Sequence, residues 1–263
     1  MHALIDRVTD ALTLAADNPN YPVTKHQIDA EYARLRTEPV GLPRPLIIIG
    51  GYHAPAMQPS ALRARLVELT GVCPGNVLCL SYLMARDSDA ILDRLAVQID
   101  RRFGVGPPEA RTTPPVDIIG VSMGGVLARA LTIPAWRRQL RILNVDARRI
   151  FTLGSPHRGA ILARDIVLDS AGKDLKPGSR FLAHLNAQSI PGRAHELVCF
   201  ARLRDFWVGA RNTAPPGYEP IWTPGLVCCS HLSLTQDRRI LVELARRLRG
   251  LTPWAAAGRP PSD

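Results

Sequence analysis

The sequence predicts an α/β protein with a mainly parallel central sheet flanked by helices. Three observations point there. Short apolar runs alternate with segments whose apolar residues recur at helical spacing, which is the pattern of βαβ units. One of the strand-to-helix junctions, Gly120-Val121-Ser122-Met123-Gly124, is glycine-rich. The chain has 263 residues, 46% of them hydrophobic and 21% charged, which suits one main core and excludes a disordered chain.

Residues 1–43 read as a helical N-terminal extension. Leu4, Val8, Ala11, Leu12 and Ala15 repeat at helical spacing until Asn18-Pro19-Asn20 breaks the pattern. A second helix fits Lys25–Arg36, with Thr24 and Gln27 as a capping-box pair and Ile28, Tyr32 and Leu35 on one face. Residues 44–250 carry the alternation. Strands fit Leu46–Ile49, Val77–Leu80, Val116–Ile119, Arg149–Leu153, Leu197–Phe200 and Leu226–Cys228. Helices fit Ser60–Thr70, a segment capped by Ser88 with Ile91, Leu92, Leu95 and Ile99 inward, and a segment from Met123. The last helix carries Ile240, Leu241, Leu244 and Leu248 and stops at Gly250. Residues 161–194 do not fit the alternation and form a candidate lid. The Ala/Pro-rich tail 251–263 is expected to be mobile. There is no internal repeat.

No apolar run approaches the roughly 20 residues of a membrane-spanning helix. Asp6, Arg7 and Asp10 interrupt the first apolar stretch, which leaves no secretory h-region and predicts a cytoplasmic location. The cysteines, Cys73, Cys79, Cys199, Cys228 and Cys229, are odd in number and lack C-x-x-C spacing, so they read as inert thiols. The net charge of +10 is almost all arginine, scattered along the chain, and aromatics are only 5%. No basic run is interleaved with aromatics, so no nucleic-acid partner is expected. The positive charge allows a weak attraction to anionic membrane surfaces. No cofactor motif is present, and the sequence does not set an oligomeric state.

Gly120 to Gly124 matches G-x-S-x-G, the nucleophile elbow, in which a strained turn lifts a serine between a strand and a helix. The context fits, with Val116–Ile119 before it and Val126–Leu131 after it. The flanking glycines suit a turn with no room for Cβ atoms.

The run Gly120–Arg129 (GVSMGGVLAR) resembles the elbow of lipases and esterases of the α/β-hydrolase superfamily, with Val121 where a histidine is usual. Thr152–Gly159 (TLGSPHRG) resembles the segment after the next strand in bacterial triacylglycerol lipases. Ile49-Gly50-Gly51-Tyr52 is similar to their oxyanion turn, with Gly50 in place of histidine. The resemblance covers about residues 46–249 and implies an α/β-hydrolase fold with Ser122 as nucleophile. In that fold the acid and then the histidine follow the serine. Of His2, His26, His53, His157, His184, His195 and His231, only His231 stands between the last predicted strand and the last helix, in a loop similar to the family's. Asp205 follows the strand Leu197–Phe200 where the family places its acid; Asp174 in the candidate lid is its rival, and Asp146 fits poorly. The resemblance makes the N–H groups of Met123 and Tyr52 the oxyanion donors. His53 would line the substrate pocket, and His157 would flank it while shaping the loop after Leu153. Some bacterial lipases bind Ca²⁺ beside the histidine loop, and Asp237 is near His231, but one aspartate makes no site and no metal is predicted.

The function implied is a serine hydrolase that cleaves a carboxylic ester through an acyl-enzyme, with a small-molecule or lipid ester as substrate. An acyltransferase on the same triad, or a non-catalytic ligand-binding protein on this fold, remains open.

Overall fold

A computed structural model describes residues 13–14, 16–52, 57–82, 87–133, 143–164, 169–188, 195–227 and 229–261. Six strands form one sheet: β1 (Leu46–Ile49), β2 (Val77–Leu80), β3 (Val116–Val121), β4 (Ala147–Leu153), β5 (Glu196–Arg202) and β6 (Ile221–Thr223). Their order is β2-β1-β3-β4-β5-β6, and every pairing is parallel. The chain steps from β1 outward to β2 and returns across β1 to β3. The crevice between the C-terminal ends of β1 and β3 is therefore the switch point where such sheets build sites.

Every residue of β1 and of β3 is buried, as expected for strands covered on both faces. Ile47, Ile49, Ile118 and Ile150 face one apolar cluster, and Leu46, Ile48, Ile119 and Phe151 face the other. Helices α3 (Ser88–Phe103) and α4 (Met123–Leu131) cover the first face. Helices α1 (Lys25–Thr37), α2 (Met57–Thr70) and α7 (Arg238–Leu248) cover the second. Two short helices, α5 (Ser170–Asp174) and α6 (Arg180–Gln188), lie within the stretch singled out as a candidate lid.

Helix α1 begins with the capping box read from the sequence, with both Thr24–Gln27 bonds formed. Ile28, Tyr32 and Leu35 enter the cluster shared with α7, so this part of the N-terminal region is a layer of the core. The helix read over Leu4 to Ala15 lies almost entirely outside the described residues.

Three expectations are corrected. The cap of α3 is Asp87, whose carboxylate accepts from the Ala90 N–H; Ser88 is the first helical residue. Among the described residues the last strand is Ile221–Thr223 and not one begun at Leu226; Cys228 lies outside them. Pro224 has no N–H to continue the ladder, and Leu226 instead makes an isolated antiparallel bridge with Thr13. The tail is held where mobility was expected. Ala256 N–H donates to Asn20 O, Gly258 N–H to Pro220 O, and the Arg246 guanidinium lies 4.1 Å from the Trp254 ring centre.

Candidate active site

The elbow forms at the end of β3. Ser122 has φ 53° and ψ −127°, outside the regions open to most side chains, and its N–H donates to Leu153 O at 2.8 Å. Packing holds this strained residue in place. A Cβ on Gly124 would lie 2.4 Å from the carbonyl oxygens of Ile49 and Gly50, and one on Gly125 would lie 2.1 Å from Ser155 Oγ. The first turn of α4 is thus pressed against both the end of β1 and the loop after β4, at a distance only glycine permits.

The loops after β3, β5 and β6 bring three predicted residues together. Ser122 Oγ is 3.0 Å from His231 Nε2, and Asp205 Oδ2 is 2.7 Å from His231 Nδ1. The ionised carboxylate can only accept, so His231 Nδ1–H donates to it and leaves Nε2 to accept from the serine hydroxyl. Asp205 Oδ1 accepts from the N–H groups of Trp207 and Val208. Asp205 and His231 are both buried, and the Trp207 indole stacks on the imidazole.

A nearby arginine anchors the histidine turn. Arg202, fully buried at the end of β5, donates to Ser233 Oγ at 2.7 Å and to Pro224 O at 3.0 Å. It lies 3.4 Å from Asp237, not paired with Asp205. The Asp237 carboxylate caps α7 and accepts from Thr223 Oγ1, so its oxygens are engaged away from His231. No cluster of metal-ligating side chains occurs among the described residues.

The other candidates fall elsewhere. Asp174 ends α5, where burial pushes its carboxyl up and the nearby hydroxyl is that of Ser88. His157 is fully buried, contrary to a place in the substrate pocket. The Arg129 guanidinium, which can only donate, reaches His157 Nδ1 at 3.0 Å, and His157 Nε2–H faces Thr152 Oγ1 at 3.1 Å. Burial, then the adjacent Arg129 and Arg158, hold its pKa well below the ordinary histidine value. His53 lies outside the described residues. Met123 is buried at the first position of α4, and Tyr52 is half-buried where β1 ends. The turn before Tyr52 is held by a residue that was not singled out: Tyr82, buried after β2, donates its hydroxyl to Gly50 O at 2.9 Å. Arg202 and Trp207 were likewise given no role; their only signal was position, at the end of a strand and two residues after the acid.

The sheet order and the turn geometry can be set beside solved structures. The propeptide form of Bacillus licheniformis lipase BlEst2 aligns with a TM-score of 0.53 at 14% identity, over 86% of this chain and 54% of that one. The fold is that of the α/β-hydrolases. Legionella pneumophila phospholipase PlaB in complex with thio-NAD aligns at 13% identity and a TM-score of 0.49, over 66% of this chain and 44% of that one. The RedJ thioesterase of the Streptomyces coelicolor prodiginine pathway aligns at 16% identity and 0.45, over 79% and 91%. This chain thus spans about half the length of the first two proteins. Neither a family model nor a curated protein sequence matches it.

Proposed function

We propose that the protein is a serine hydrolase that cleaves carboxylic esters, lipid esters among them, through an acyl-enzyme on Ser122. The observation that carries this reading is the continuous hydrogen-bond path from Ser122 Oγ through His231 to Asp205, at a strained strand-to-helix turn. In this reading residues 44–250 form the hydrolase domain, 1–43 its N-terminal extension, and 161–194 the cover of the site.

Ser122 Oγ attacks the acyl carbon as its proton passes to His231 Nε2. Asp205 holds the imidazole in the required tautomer and stabilises it once charged. The N–H groups of Met123 and Tyr52 hold the oxyanion, a kind of contact whose loss typically costs about 10²–10³ in rate. The proton then moves to the leaving oxygen, the C–O bond breaks, and the alcohol departs. Water gives its proton to His231, attacks the acyl-enzyme and releases the acid, and the proton returns to Ser122.

An apolar collar supports an acyl substrate. Phe206, Trp207, Val227 and Leu232 are exposed on the loops that carry Asp205 and His231. Ile161 and Leu162 are exposed on a turn bonded to Trp207 O through the Leu162 N–H. Scattered apolar residues need no explanation, but six on the loops that carry Asp205 and His231 and on the turn bonded to them suit an acyl chain or a lipid surface, and the net charge of +10 would favour anionic surfaces. No helix of the described residues is long and apolar enough to cross a membrane.

The test is labelling by a fluorophosphonate, followed by turnover of esters of increasing chain length. Wild type should label and hydrolyse. Ser122→Ala should do neither, keeping its fold and below about 1% of wild-type kcat. Retention of more than that removes Ser122 as nucleophile. Product transfer to an added alcohol in preference to water would make the enzyme an acyltransferase.

A further inference from the structure

We propose that Trp207 is a positioning residue of this site, whose indole face holds the His231 imidazole in register and stabilises it when it carries the serine proton. The inference rests on the hydrolase reading and deepens it.

The geometry comes from one carboxylate. Asp205 Oδ2 accepts from His231 Nδ1, while Oδ1 accepts from the Trp207 N–H at 3.1 Å and the Val208 N–H at 3.0 Å. The group that orients the imidazole therefore also folds the turn that delivers the indole. On the far side, Trp207 O accepts from the Leu162 N–H at 3.0 Å. The two rings stack with centroids 5.1 Å apart and planes 25° apart. The imidazole is thus fixed in its plane by bonds at both nitrogens and across its plane by the indole. His231 is only 8% exposed while Trp207 is 45% exposed, so the indole itself covers the ring.

Such a stack acts differently on the two protonation states. A cation within about 6 Å of an indole face is attracted by its quadrupole; neutral imidazole gains only the ordinary stacking term. During turnover the ring becomes charged when it takes the proton from Ser122. The added stabilisation therefore belongs to the transition state and the tetrahedral intermediate, and it should appear in kcat more than in KM. The charged group in contact with the ring among the described residues is Asp205. The Gly154 backbone and Leu234 pack nearby without charge, and the Arg202–Asp237 pair bonds Ser233 and Thr223 on the turn behind.

The test compares wild type with Trp207→Phe and Trp207→Leu on a short soluble ester. Trp207→Leu should lower kcat about tenfold with KM changed less than about twofold, and the acid limb of the kcat/KM profile should move to lower pH. Trp207→Phe, which keeps an aromatic face, should recover most of kcat. A second readout needs no turnover: a protonated imidazole quenches a stacked indole. The emission difference between wild type and Trp207→Phe should fall on acidification, and this fall should vanish in His231→Asn. A Trp207→Leu enzyme with unchanged kcat and acid limb, or with only KM raised, overturns the proposal and leaves Trp207 as part of the apolar collar. A wild type that neither labels with fluorophosphonate nor turns over esters overturns the hydrolase reading instead, and the emission titration then decides the ring pairing alone.

Discussion

Both oxygens of the Asp205 carboxylate are committed, one to the His231 imidazole and one to the turn carrying Trp207 and Val208. Asp205→Asn would keep this shape but offer an amide N–H where an acceptor is needed, which favours the wrong imidazole tautomer. The equivalent change costs about 10⁴ in kcat in a serine protease. Steady-state kinetics should show kcat falling at least about 10² for Asp205→Asn and less than about tenfold for Asp174→Asn, with unchanged melting curves. The reverse ranking would move the acid to α5. Ser122, Asp205 and His231 were legible in the sequence because the elbow has a local pattern and the other two follow it in a fixed order. Tyr82, Arg202 and Trp207 were not, because each acts through a contact made only by folding. Tyr82 reaches Gly50 across 32 positions, and Arg202 reaches Ser233 across 31. His157 was misleading for the opposite reason: its motif marks a packed loop, and packing buries it.

Among the elements, the buried parallel strands were legible because continuous apolar runs between helices have few other uses. The edge strand β6 was not, since Leu226-Val227-Cys228 is as apolar as Ile221-Trp222-Thr223, and only Pro224-Gly225 separates them. The candidate lid is the more instructive case. Its helix α6 buries Leu182 and Leu185 in the core, and Asn186 binds both Arg129 Nη2 and His157 O. The cluster ties α6 to the elbow helix α4, so the stretch cannot lift as one body. The turn Ile161–Arg164 is held more lightly: Ala163 packs into the same cluster and the Leu162 N–H bonds Trp207 O, but Ile161 and Leu162 are exposed. Limited proteolysis should therefore cut at 161–164 or in the turn 175–179 before it cuts α6, and an acyl phosphonate on Ser122 should slow the first of these. Early cleavage within α6, or cutting indifferent to the inhibitor, would remove the cover.

Across the whole molecule, the arginines do more than solvate helix faces. Arg149 binds Asp117 on β3 and reaches the carbonyls of Arg247 and Leu248 at the end of α7. Arg246 pairs with Glu31 of α1, and Arg249 reaches Leu35 O and Leu69 O, joining the three helices of one face. Arg129 does the same on the other face, where two of its acceptors are neutral, His157 and Asn186. Burial lowers its pKa to about 10, and it spends hydrogen bonds on His157 and Asn186. That choice makes the fold sensitive to acid. A protonated His157 would present an N–H to the guanidinium at Nδ1 and a second positive charge 3.0 Å away. Its folded pKa is accordingly depressed below the ordinary 6.5, so between those two values the unfolded chain binds the proton and the native one does not. The resulting stability is complete above about pH 6.5 and is lost progressively as pH falls below it, with a limiting slope of about 1.4 kcal/mol per unit. His195, also lowered by burial and by Arg129, adds to the loss in the same interval. The carboxyls of Asp29 and Glu31, held low by Arg238 and Arg34, act only further down, below the ordinary carboxylate range. Urea unfolding at a series of pH values from 7.5 to about 5 should therefore show stability falling below about pH 6.5. His157→Gln, whose amide oxygen can still accept from Arg129, should flatten that slope even if it lowers the plateau. An unchanged slope in the variant would mean that His157 does not titrate with folding, and the acid sensitivity would then have to be sought at His195.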